Sequence, residues 1–154
     1  MKAIVIHESL TGNTRAAGNL IAEELRASGI QAMSCRIDRV DLQWLSDSDL
    51  VIVGTWVDGL FFFGQKPGRP WKLAKLPVID GRKAAVFVTY AVDPGKTLEK
   101  LDGVVRRRGG DVIGGFAIKR DNLAGGASEF VDRLIGASEV QNMLSQESKA
   151  LSPA

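Results

Sequence analysis

The chain has 154 residues, enough for one domain with a proper core, and its 45% hydrophobic and 25% charged content is that of an ordinary globular protein. A single cysteine, Cys35, excludes an internal disulfide and argues against a Cys-rich metal or iron–sulfur site, and a single histidine, His7, leaves little material for a His-based metal cluster or a Ser–His–Asp triad. Net charge is +2, and the absence of a membrane-spanning run or a signal-peptide-like start gives the expectation of a cytoplasmic protein without a membrane span.

Lys2 to His7 is an apolar run that reads as a strand. Ser9, Leu10, Thr11, Gly12, Asn13 and Thr14 follow it, and an amphipathic helix is expected from about Thr14 to Ser28. Its Ala17, Leu20, Ile21 and Leu25 form one face, Arg15, Asn19, Glu23 and Arg26 the other, and Gly29 ends it. A turn from strand to helix aims backbone N–H groups and the positive end of the helix dipole at one point, where an anion is stabilised. Hydroxyls at Ser9, Thr11 and Thr14 can donate there, and Gly12 admits a positive φ. The same residue types also suit an ordinary turn with a helix N-cap.

Met33, Cys35 and Ile37 alternate with Ala32, Ser34 and Arg36, which predicts a half-buried edge strand with a buried thiol. A short helical turn is expected around Val40 to Leu45, then a central strand at Leu50 to Val53. From Thr55 to Pro77 the pattern is irregular and punctuated by Gly and Pro, as in a loop that is functional or mobile. Ala84 to Tyr90 reads as a central strand, Asp93 as an N-cap with Pro94 at the first helical position, and Leu98, Leu101 and Val105 as that helix's apolar stripe. Val112 to Ile118 predicts a fifth strand, Phe130, Val131, Leu134 and Ile135 mark the last helix, and 145–154 reads as a disordered tail after a single domain spanning 1–144.

The spacing Ser-x-Thr-Gly-Asn-Thr after an opening strand resembles the FMN-phosphate loop of flavodoxins and flavodoxin-like proteins, whereas the P-loop and dinucleotide fingerprints both fail. The resemblance implies an α/β flavodoxin-like three-layer sandwich, with a five-stranded parallel sheet of order 2-1-3-4-5 and a ligand over the strands' carboxyl ends. The uninterrupted fifth strand matches the short-chain form. It further implies FMN as cofactor, its phosphate against Ser9 to Thr14 and its ring between two loops, Thr55-Trp56-Val57-Asp58-Gly59 and Thr89-Tyr90-Ala91-Val92-Asp93. Trp56 and Tyr90 stand where the family commonly carries the aromatics that sandwich the isoalloxazine; as residues alone they equally suit the rim of a sheet.

The chain departs from the family at His7, where an aromatic is usual, at Gly18, where alanine is usual, and in its mildly basic balance, since electron-carrying flavodoxins are typically strongly acidic. Arg106, Arg107 and Arg108 sit where a helix should end and read as cations complementing its C-terminus, so no nucleic-acid partner is expected. Phe61, Phe62 and Phe63 are either buried in a folded-back loop or exposed as a docking or homodimer surface. The expected function is electron transfer to a redox partner protein or to a small acceptor such as a quinone. The alternative is a flavodoxin-like binding or interaction domain without redox activity. A phosphoreceiver, which shares the sheet order, fails because Thr55 and Trp56 stand where its phosphorylated Asp belongs.

Overall fold

The computed structural model describes residues 1–58 and 66–152, so Gly59 and Phe61 to Phe63 lie outside the described residues. Three apolar runs form the middle of the sheet: β1 (Lys2–His7), β3 (Leu50–Asp58) and β5 (Lys83–Tyr90). Strands covered by helices on both faces bury both sets of side chains, which is why these runs lack polar breaks. β2 (Gln31–Arg36) and β6 (Asp111–Lys119) are the edges, and the long strands pair in parallel in the order β2-β1-β3-β5-β6. Counted over the five long strands, this is the flavodoxin-like order expected from sequence.

Alternation along the strands sorts the core into two layers. Ala3, Val5, Leu50, Ile52 and Phe87 point to one face, against α1 (Asn13–Ala27), α5 (Leu123–Gly136) and α6 (Ser138–Leu151). Ile4, Ile6, Val51, Val53 and Val86 point to the other, against α2 (Leu42–Asp47), α3 (Pro70–Leu73) and α4 (Thr97–Arg107). Among the described residues no helix is long and apolar enough to cross a membrane.

Four expectations are corrected. β3 does not stop at Val53 but runs to Asp58, and its end pairs antiparallel with an unexpected two-residue strand, β4 (Lys66–Pro67). α4 begins at Thr97, because the Asp93 carboxylate accepts the N–H of Gly95 in a tight turn and Pro94 stands before the helix. Cys35 is only partly buried, and burial still pushes its thiol up to about 11. The segment expected to be a disordered tail from residue 145 is helical as far as Leu151, as the last element, α6. Val140 is buried, Met143 and Leu144 pack onto the same core layer, and Glu147 pairs with the N-terminal amine.

Candidate functional site

At the carboxyl ends of β1, β3 and β5 the chain passes into loops that lie side by side. The first begins with Glu8, whose N–H bonds to the carbonyl of Gly54 at 3.0 Å and extends the β1–β3 ladder. Gly12 then adopts φ 101°, a left-handed conformation that costs a β-carbon-bearing residue about 1 kcal/mol, and α1 starts from it. No side chain caps that helix, so the N–H groups of Asn13, Thr14 and Arg15 have no acceptor within the helix. Ser9 stabilises the turn: its Oγ accepts the N–H of Gly12 at 3.1 Å.

Thr14 is 1% exposed and its hydroxyl is 2.7 Å from that of Thr89 at the end of β5. One of the two hydroxyls donates to the other, which leaves one proton for a further acceptor. This bond ties the first loop to the third. Trp56 is the register partner of Thr89, so the aromatic on β3 stands beside the same point. Its indole lies flat over Gly68, where a β-carbon would fall 2.1 Å from the ring, and the Arg69 guanidinium is 5.7 Å from the ring centroid. Tyr90 follows Thr89, and its carbonyl accepts the N–H of Arg120.

Two clefts open on either side of the first loop. One, of about 160 Å³, is lined by Leu10, Thr11, Asn13 and Thr14 from the first loop and by Trp56 and Val57 from β3. Thr89, Tyr90, Ala91 and Arg120 complete it. The other, of about 310 Å³, shares Leu10 and Thr11 and is otherwise lined by His7, Ser9, Gly12, Arg15, Arg36 and Arg69.

Most of the residues singled out from sequence therefore meet in the first cleft. Ser9 and Gly12 face the second. Thr55, Asp58 and Asp93 line neither: Thr55 is fully buried and donates to the Gly68 carbonyl at 3.2 Å, Asp58 is the register partner of Lys66, and Asp93 is held in its own turn. Arg120 was missed, although the position after a strand's end could have suggested it. Arg15, Arg36 and Arg69 carry no local signal, and their convergence depends on the fold.

The second cleft is strongly electropositive. Glu8, 2% exposed, accepts from Arg69 Nη1 at 2.7 Å and lies 3.5 Å from Lys72 Nζ; Asp38 pairs with Arg36 at 2.7 Å and with Lys72 at 3.9 Å. Arg15 forms no ion pair among the described residues. His7 at the end of β1 is buried, with no hydrogen bond to Nδ1. Burial first and then the Arg15 charge lower its pKa to about 4, against the opposing pull of Glu8, so the ring is neutral at pH 7.

No protein-family model matches the chain, and no curated protein sequence matches it. Solved structures do resemble it. The two-electron reduced flavodoxin of Megasphaera elsdenii superposes with a TM-score of 0.68 at 22% identity, covering 88% of this chain and 99% of that one. Oxidised flavodoxin 2 of Bacillus cereus gives 0.65 at 20% identity, covering 85% of this chain and 95% of that one. Rubredoxin oxygen:oxidoreductase of Desulfovibrio gigas gives 0.60 at 14% identity, covering 88% of this chain but only 37% of that longer one. The protein has the flavodoxin-like α/β fold.

Proposed function

We propose that the protein binds FMN in the first cleft and transfers electrons, either to a partner protein or to a small acceptor such as a quinone. The observation that carries this reading is the meeting of an uncapped helix start with two aromatic side chains in one cleft over the switch point of the sheet. The flavodoxin-like fold of its structural neighbours supports the same reading.

Each group has a part that its chemistry fits. The N–H groups of Asn13 and Thr14 and the Thr11 hydroxyl hold the phosphate, and the Thr14–Thr89 pair supplies one further proton. Trp56 and Tyr90 flank the ring and exclude water from it. FMN, when bound, supplies a reversible electron acceptor, and the protein sets its position and electrostatic surroundings. Arg120 places positive charge beside the ring and so favours electron uptake.

Purified protein is expected to be yellow, with the two-banded flavin spectrum, and to release FMN on denaturation. Thr11→Ala removes one hydrogen bond to a charged group, worth about 1.5–3 kcal/mol, so FMN should dissociate at least ~10-fold more readily. Trp56→Ala should restore part of the bound flavin's quenched fluorescence. A colourless protein whose titration with FMN shows no quenching overturns the reading.

A further inference from the structure

The flavin reading leaves the second cleft without a role, although it is the larger of the two and the more highly charged. Among the described residues no carboxylate lines it. Around it Arg15, Arg36, Arg69 and Lys72 share two carboxylates, Glu8 and Asp38; each carboxylate is matched by one arginine, which leaves two positive charges unbalanced. Arg15 is folded back over the turn, with Nη2 3.7 Å from where a β-carbon on Gly12 would lie. Guanidinium groups converging from α1, the end of β2 and the segment before α3 present planar forks of N–H donors, the geometry that matches phosphate oxygens.

His7 supplies an independent observation. It is 2% exposed and lines the cleft, yet no described group bonds to its ring. Its Cδ2 edge is packed against α1, 3.0 Å from where a β-carbon on Gly18 would sit, and Nδ1 is enclosed without an acceptor. The proton of the neutral ring is therefore assigned to Nε2, as a donor still without a partner. The Nε2–H is therefore available to donate to an anion held by the arginines that line the same cleft.

We propose that this cleft binds a diphosphate group, free or carried on a nucleotide, beside the flavin and not in its place. Two unbalanced charges match a compact polyanion better than a single carboxylate. Among the described residues the His7 ring is the one aromatic lining the cleft, and its arginines point recognition to phosphate. Among the described residues the two clefts share Leu10 and Thr11 and are otherwise lined by different side chains, so the sites meet at that turn.

The test is calorimetric titration of inorganic pyrophosphate into the full-length protein, with and without saturating FMN. One equivalent should bind in both cases, and more weakly as salt rises. Arg36→Ala, at an exposed strand end, should weaken pyrophosphate binding at least ~5-fold and leave FMN affinity unchanged, since it removes one charge-assisted contact. ADP is the second probe. Tighter binding of ADP than of pyrophosphate identifies a nucleotide, equal binding identifies the inorganic group, and either supports the site. Absence of pyrophosphate binding, its abolition by FMN, or indifference to Arg36→Ala overturns it. The pyrophosphate titration needs no flavin, so a failure of the FMN reading leaves this result intact.

Discussion

The aromatic cleft and the arginine cleft share one turn, Leu10–Thr11, and are built on opposite principles. In the first, Arg120 is the one charged residue in the described lining, Thr14 and Thr89 bond to each other, and Trp56 and Tyr90 provide flat apolar surface. In the second, charge predominates, and its one enclosed ring, His7, has no hydrogen-bond partner. The first thus offers a surface suited to a flat, partly apolar ligand, and the second an excess of positive charge suited to an anion. Arg69 joins them, because it pairs with Glu8 on one side and lies over Trp56 on the other.

Removing Arg69 should therefore have the largest effect. Arg69→Ala leaves the buried Glu8 carboxylate with only Lys72, 3.5 Å away, and breaking a buried pair costs about 3–5 kcal/mol, here toward the lower end because Lys72 remains. Arg69 also has φ 46°, a left-handed backbone that glycine adopts without strain. Arg69→Gly should thus be about 1 kcal/mol more stable than Arg69→Ala, although both lose the ion pair. Urea denaturation of the two variants measures the difference, and equal stabilities would show that the backbone at this position stores no strain.

His7 gives the arginine cleft a pH dependence. Its pKa is about 4 in the folded protein and 6.5 when unfolded, so between these values the unfolded chain binds the extra proton. The contribution is fully present above pH 6.5 and is lost as pH falls through 4, by roughly 2–3 kcal/mol over that window. His7→Asn should flatten stability across it. An unchanged slope in that variant would assign the acid sensitivity to carboxylates instead.

Gly68→Ala should damage the aromatic cleft and spare the other. The new methyl would lie 2.1 Å from the Trp56 indole, a rigid ring that must turn away, and overpacking of this kind costs about 1–3 kcal/mol. FMN quenching should fall while pyrophosphate binding holds. Loss of both would mean that the turn transmits the strain and that the clefts are not independent.

How much of this could be read beforehand follows from the range of each signal. The apolar runs of β1, β3 and β5 announce a covered parallel sheet, and Trp56 and Tyr90 stand near the carboxyl ends of two of those strands, so the fold and the aromatic cleft were legible. α6 was not, because its Ser-, Gln- and Glu-rich sequence buries fully only Val140 and is kept helical by packing on the α1–α5 face. Asp93 misled for a chemical reason. A carboxylate accepting an N–H two residues on serves a turn as well as a helix cap, and Gly95, at φ 52°, let the chain turn first. The arginine cleft had no signature at all: His7 and Arg36 are neighbours only through the β1–β2 register, and Arg15 and Arg69 reach them from a helix and a loop far apart in sequence.

The smallest expected effect concerns charge inside the aromatic cleft. Arg120 follows β6, lines that cleft, and forms no ion pair among the described residues. Gaining an electron makes the flavin more negative, so a nearby cation favours the reduced form, and Arg120→Ala should lower the midpoint potential. The side chain is exposed and screened, and exposed charges interact by up to ~1 kcal/mol, which for one electron is a fall of about 10–40 mV. Potentiometric titration at low and high salt separates the alternatives. A fall that shrinks with salt marks a through-space charge, whereas a salt-independent fall marks a contact to the ring, and no change at all would leave the aromatic cleft as neutral in function as its hydroxyl pair is in charge.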